Sequence, residues 1–264
     1  MNVKGFILKM KLTTEQKSYW IKNGFLKLKN VFGQDDLCQV KAWITKIETS
    51  PADSEGGILH YYEIINGEKI ITRSERYLNF SKELTDFITQ GIVVRILEQL
   101  MESEVVLFKE KINYKYPMGG GYVPHQDAAA YKYISHHVTC LVAPESTTSE
   151  NGCLWLAAGH HQKRLISLNS DGCIDKKVAE QLPWRELPTN PGDLIFFDSY
   201  TPHFSSPNLS TKARKTLYLT YNESKYGEFR ELYYKDRSQQ LENSKNRKKK
   251  QISTIRHFQG EAEN

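Results

Sequence analysis

The chain has 264 residues, 39% hydrophobic and 25% charged, and its 36 Lys and Arg against 31 Asp and Glu give a formal charge of +5. That composition excludes a disordered chain, no run approaches the roughly 18 apolar residues of a membrane span, and the opening apolar run is too short for a secretory signal, so the cytoplasm is the default compartment. The basic excess gathers between Lys235 and Lys250, with Arg247 and Lys248 to Lys250 at its end, which reads as a solvated tail; the body is then near neutral, and small-molecule chemistry is expected in place of nucleic-acid or membrane binding.

One domain over residues 1–234 with N-terminal helices, followed by a basic, flexible tail over 235–264, accounts for the length. Thr13 and Gln16 have the spacing of a capping box, predicting a helix that Asn23-Gly24 ends. Leu37, Val40, Ile44 and Ile47 recur at helical spacing behind the acidic pair Asp35-Asp36, predicting a second helix, with Trp43 on its buried face. A third is predicted from Ser81 to Met101, with Leu84, Phe87, Ile88, Ile96, Leu97 and Leu100 on one stripe.

After Met101 the pattern changes to short apolar or alternating runs between turn residues. Strands are predicted at Val105 to Tyr116, Val138 to Ala143, Cys153 to Ala157, Leu194 to Asp198 and Thr216 to Asn222. Asn151-Gly152 is expected to supply a tight hairpin, and Asn190 to Asp193 a turn. Helices first and strands after predict a mainly β fold with flanking helices, a barrel or jelly roll. Cys38, Cys140, Cys153 and Cys173 lie far apart and read as reduced structural thiols.

His125-Gln126-Asp127 is the first element with chemistry in it. Roughly one H-x-D or H-x-E is expected by chance in such a composition, so the setting matters. The motif follows the flexible Pro117 to Gly121 and precedes three alanines that leave space. On an extended backbone residues i and i+2 share a side, so imidazole and carboxylate can grip one ion together. His203, just after an apolar strand, is the candidate third ligand. Two imidazoles and one carboxylate leave coordination positions open for oxygen and a co-substrate, which suits iron(II) oxygenase chemistry better than closed structural zinc.

The ordered blocks HQD at 125–127, ENGCL at 150–154, G-x-H at 159–161, PGD-x-x-F-F at 191–197, H-x-S-x-x-N at 203–208 and then Arg214 resemble the phytanoyl-CoA dioxygenase family, over at least Arg73 to Tyr221. The resemblance implies a double-stranded β-helix, a cupin-like jelly roll, using iron(II), 2-oxoglutarate and O2 and releasing succinate and carbon dioxide as it hydroxylates an unactivated C–H bond. It places the metal on His125, Asp127 and His203 and the distal carboxylate of 2-oxoglutarate on Arg214, whose fork can bind it bidentately. Ser205 and Arg73 match further co-substrate contacts. Lys109, Lys111, Asn113 and Lys115 share one strand face, with Lys111 expected nearest the co-substrate, Asn113 beside it, and Lys109 and Lys115 given less weight. Where the family commonly has a tryptophan on the co-substrate wall, this chain has Thr139-Cys140-Leu141, so Thr139 is the candidate there.

Within the family the stretches 108–115 and 121–128 look more like a bacterial branch acting on small polar molecules, 2-aminoethylphosphonate hydroxylases included. Lys109, Arg76, Tyr61, Tyr62, Tyr122 and Tyr131 are the candidate substrate contacts, by charge pairing and cation–π contact. The competing readings are a hydroxylase of an acyl-CoA or other natural product, and a jelly-roll sensor that keeps a metal without turnover.

Overall fold

The computed structural model describes residues 10–53, 57–244 and 252–263. Two antiparallel sheets face each other. The larger has eight strands: β1 (Phe25–Leu28), β2 (Leu59–Ile65), β3 (Glu68–Glu75), β4 (Val105–Lys115), β6 (Val138–Val142), β9 (Leu194–Asp198), β11 (Arg214–Glu223) and β12 (Glu261–Glu263), in the order β1-β9-β6-β11-β4-β3-β2-β12. The smaller has four, β5 (Tyr122–His125), β7 (Leu154–Ala157), β8 (Trp184–Leu187) and β10 (His203–Ser205), in the order β5-β10-β7-β8. This is the expected mainly β jelly roll with flanking helices, and the crossing of chain between sheets makes it a double-stranded β-helix.

Strand alternation divides the large sheet into two working faces. Cys140, Val142, Leu194, Phe196, Leu217 and Leu219 turn outward and bury against α2 (Gln34–Thr49), α3 (Lys82–Gln90) and α4 (Ile92–Met101), with Trp43, Ile44 and Ile96 closing that layer. Leu141, Ile195, Phe197 and Tyr218 turn inward against Leu154 and Leu156 of the small sheet. The remaining helices are α1 (Thr14–Asn23), the single turn α5 (Lys176–Ala179) and α6 (Arg230–Ser244). Thr13 caps α1 through the expected reciprocal pair, Gln16 N–H to Thr13 Oγ1 at 3.2 Å and Thr13 N–H to Gln16 Oε1 at 2.9 Å.

Three elements differ from the sequence expectations. The single helix expected over Ser81 to Met101 is two, because Gly91 is extended (φ −75°, ψ −174°) and serves as the end of α3 and the start of α4. Asn151-Gly152 is not a two-residue hairpin: Gly152 alone has positive φ (74°), and its N–H closes a turn on Ser149 O at 3.2 Å. The hairpin of that kind is Asn66-Gly67, with φ of 53° and 84°, joining β2 to β3 with Ile65 opposite Glu68. Both residues occupy the left-handed region a right-twisted two-residue loop requires, which Asn and Gly tolerate best.

The third difference is the tail. Helix α6 runs across the boundary expected at residue 235, burying Tyr233, Tyr234 and Arg237, and residues 252–263 fold back onto the barrel with Ile252, Ile255 and His257 buried. Val123 N–H donates to His257 O at 2.8 Å, Gln259 N–H donates to Gly121 O at 2.9 Å, and Glu261, Ala262 and Glu263 pair with Ile64, Glu63 and Tyr62. The segment thus straps the edge of the small sheet to the edge of the large one, covering strand edges that otherwise present unpaired backbone groups. Arg247 and Lys248 to Lys250, the heart of the basic run, lie outside the described residues.

Candidate active site

Antiparallel pairing of β5 with β10 sets His203 directly opposite His125, and their ring centroids are 4.1 Å apart. Each imidazole is oriented by its own backbone: His125 Nδ1 donates to Val123 O at 2.7 Å and His203 Nδ1 to Thr201 O at 3.0 Å. With that proton committed, each Nε2 presents a lone pair. Gln126, extended between the two predicted ligands (φ −122°, ψ 128°), puts Asp127 on the same side as His125, and Asp127 Oδ1 lies 4.0 Å from both Nε2 atoms. The Gln126 side chain points away and is pinned, its Nε2 donating to Arg164 O (2.8 Å) and Tyr200 O (2.6 Å) and its Oε1 accepting from Ile166 N–H (3.0 Å).

The three donor atoms lie within 4.8 Å of one another, and all three residues are buried. Burial and the neighbouring His203 and His257 hold the His125 imidazole well below its usual range, and burial lowers that of His203. Burial would raise the Asp127 carboxyl, but His203, Lys111 and His125 carry it below the usual carboxylate range. Neutral imidazoles beside an ionised carboxylate form the protonation state a divalent ion requires, so the donor set fits iron(II).

Four rungs of inward-facing side chains line the large sheet opposite this centre. Register places Lys115 beside Arg214; Arg73, Asn113 and Thr216 together; Glu75, Lys111 and Tyr218 together; and Lys109, Thr220 and Thr139 together. In the first rung Arg214 donates from Nε to Asn151 O (3.2 Å), from Nη1 to Thr216 Oγ1 (2.8 Å) and from Nη2 to Gly152 O (2.6 Å). Lys115 Nζ donates to Ser205 Oγ at 2.9 Å and to Gly152 O at 3.2 Å. Gly152 is required there: a Cβ would sit 2.2 Å from Ser206 O and 2.6 Å from Lys115 Nζ.

Among the four residues of the expected charged strand face, Lys115 therefore joins Ser205 and Arg214, while Lys111 stands over the Tyr218 ring at 4.8 Å. Asn113 Oδ1 accepts from Arg73 Nε at 3.2 Å, and Thr139 Oγ1 lies 2.9 Å from Thr220 Oγ1. Arg73 is fully buried and heavily engaged, with Glu75 (3.3 Å), Tyr122 OH (3.1 Å), Ile252 O (2.9 Å) and Ser253 Oγ (2.8 Å). It ties the strap to the barrel. Lys109 Nζ donates to Tyr131 OH at 2.9 Å and pairs with Glu75 at 3.8 Å. Arg76 instead pairs with Glu231 of α6 at 3.3 Å and turns toward Tyr234, in a surface recess formed with Gly57, Tyr77 and Arg230. Tyr61 accepts from Arg237 at 3.0 Å, and the Tyr62 ring carries Lys69 at 4.5 Å.

Sequence reasoning missed several groups that surround the centre. His257 of the strap lies tilted against His125 with centroids 4.3 Å apart, Glu75 and Arg237 are buried charges facing Lys109 and Tyr61, and His137 is fully buried beside Tyr131. Alternation from Thr139 would have placed His137 on the inner face. Nothing local marked His257, which follows the basic run.

Two imidazoles and a carboxylate converging at the mouth of a double-stranded β-helix, with a buried arginine and lysine behind them, define an iron(II)- and 2-oxoglutarate-dependent dioxygenase. The profile of the phytanoyl-CoA dioxygenase (PhyH) family matches residues 20–216, and the chain belongs to that family. It is 40% identical over 252 residues to the methylphosphonate hydroxylase of Gimesia maris, covering 94% of this chain and 96% of that protein. With a 2-aminoethylphosphonate dioxygenase from an uncultured bacterium it shares 36% identity over 236 residues, 87% of this chain and 88% of the relative. In fold it is similar to the crystal structure of EctD from S. alaskensis with 2-oxoglutarate and 5-hydroxyectoine, at a TM-score of 0.71 and 18% identity, covering 81% of this chain and 77% of that one. Among the described residues no helix is long and apolar enough to cross a membrane.

Proposed function

We propose that this enzyme hydroxylates a small organophosphonate, methylphosphonate or 2-aminoethylphosphonate, at a carbon close to phosphorus. The observation that carries the reading is a buried surplus of positive charge on the substrate side of the iron centre. Arg73, Lys109, Lys111 and Arg237 are all less than a tenth exposed, and the buried carboxylates among them are Glu75 and the iron ligand Asp127. Uncompensated buried charge is costly, and a dianionic head group offsets it. The names of the two relatives, which span nearly the whole chain, point to the same chemical class.

Bound iron(II) with 2-oxoglutarate and O2 supplies the oxidising power for the C–H bond. The chain supplies placement and shelter. His125, Asp127 and His203 hold the ion; Arg214, Lys115 and Ser205 take the distal carboxylate of 2-oxoglutarate, with Asn113 and Thr139 on the walls of its channel; Lys109, Tyr131 and Tyr122 line the substrate side, and the strap at Ile252 to His257 excludes water. The test is succinate formation by the iron-loaded protein with 2-oxoglutarate. Either phosphonate should raise the rate at least about tenfold over the uncoupled background, a modest fraction of what positioning alone contributes; a rate unchanged by both, or raised equally by an acyl-CoA, would sink the assignment.

A pH dependence follows from Lys109. Burial holds its ammonium down to about 7, against the pull of Glu75. In the substrate-free enzyme the amine is therefore increasingly neutral above pH 7, an anion restores its proton, and binding takes that proton up. Affinity is full below pH 7 and falls as pH rises, by up to about tenfold per unit. Phosphonates ionise in the same range, so the readout is the ratio of wild-type KM to that of Lys109→Arg, whose guanidinium stays charged. That ratio should climb between pH 7 and 9; a flat ratio refutes the role.

A further inference from the structure

His137 stands just before β6, and its place in the molecule is fixed from two sides. Ser199 N–H donates to His137 O at 2.9 Å, and Ser199 O accepts from Ala128 N–H at 3.0 Å, so one residue brackets His137 to the turn that begins with Asp127. Two residues before Thr139, its side chain shares the inward face, diagonal to Lys109 across the Thr139–Thr220–Lys109 rung. At the facing strand the register passes from Thr220 opposite Lys109 to Tyr221 opposite Leu107, and the skipped Phe108 forms a β-bulge. The bulge turns Phe108 against the His137 ring, at 6.0 Å between centroids, while Tyr131 meets it edge-on at 4.7 Å.

The environment of this ring does not suit its chemistry. His137 has no exposed surface, and neither Nδ1 nor Nε2 has a hydrogen-bond partner among the described residues. An unsatisfied buried polar atom is destabilising, so a phenylalanine would fill the same aromatic corner at less cost. The ring is within electrostatic reach of Asp127, His136, Asp198 and Lys109, and Tyr131, which meets it edge-on, also accepts from Lys109 Nζ at 2.9 Å. In methylphosphonate the only carbon is bonded to phosphorus, so the head group must lie within a few ångströms of the reacting C–H bond and hence beside Asp127.

We propose that His137 is a substrate contact, donating a ring N–H to the anionic head group next to the Lys109 ammonium. This rests on the phosphonate reading above and adds to it a residue and a contact. The test compares iron-loaded wild type with His137→Phe and His137→Leu, which keep the packing and remove the donor, and with His137→Gln, which keeps a donor. Both apolar variants should raise KM for methylphosphonate about 10–100-fold, the scale of one lost hydrogen bond to a charged group. Thermal stability should hold or rise, and the visible charge-transfer band of the iron–2-oxoglutarate complex should form at unchanged 2-oxoglutarate concentration. His137→Gln should recover most of the affinity. Wild-type turnover with KM unchanged in the apolar variants overturns the His137 contact alone. Loss of fold in both assigns the ring to core packing and overturns it too. No phosphonate turnover in the wild type defeats the substrate reading itself.

Discussion

Asp127→Ala should leave a folded protein with its iron content reduced to trace levels and succinate production lowered by well over 100-fold, the upper end of what disturbing a mere outer partner of a ligand costs. The direction follows from charge as well as geometry. Asp127 is the carboxylate of the donor set, and its Oδ1 is the atom equidistant, at 4.0 Å, from both Nε2 atoms. Removing it leaves two neutral imidazoles, whose affinity for iron(II) is far below that of the three donors together. The measurement is metal content after desalting, beside a melting curve that reports on fold. Melting above the apo wild type is compatible with the assignment, since the variant loses a buried charge; retained stoichiometric iron is not.

Arg214→Ala should weaken 2-oxoglutarate about 10–150-fold, the loss expected for a charge-assisted pair contributing roughly 1.5–3 kcal/mol, while iron binding stays as in the wild type. The guanidinium is already fixed by Asn151 O, Thr216 Oγ1 and Gly152 O, so its remaining N–H groups are aimed before the co-substrate arrives. Lysine is a poor substitute, because one ammonium cannot keep these three partners and also address a carboxylate. Burial and the charge of Arg214 also hold the Lys115 ammonium well below its usual range. The readout is the dependence of the charge-transfer band on 2-oxoglutarate, against iron affinity measured separately. Equal loss of both would remove Arg214 from this role.

The metal triad was legible because its information is local: H-x-D on an extended backbone fixes two donors relative to each other, and His203 follows an apolar strand whose boundaries at Leu194 and Asp198 the structure reproduces. The long strands were legible for the same reason. The β2–β3 hairpin was legible in principle, since Asn66-Gly67 stands between two runs rich in aromatic and β-branched residues. Other features depend on tertiary context. Glu75, Lys109 and Arg237 are charged residues that propensity assigns to solvent, and only the enclosure of the barrel buries them. His257 was hidden by the basic run before it, and its burial is decided by the open edge of β5, far away in sequence, where Val123 N–H donates to its carbonyl. Gly91 was absorbed into a long amphipathic stripe whose period continues on either side of the break.

Residues 252–263 have a temporal consequence. They are synthesised after every strand they brace, and domains commonly begin to fold while the ribosome is still extending the chain. The two sheets can therefore come together, and His125, Asp127 and His203 converge, before the wall carrying Ile252 and His257 exists. Until that wall arrives, an ion captured by the nascent barrel faces water and oxidants on the side His257 later covers. Iron(II) supplied after the chain is complete should therefore give a higher yield of active enzyme than iron(II) present throughout synthesis.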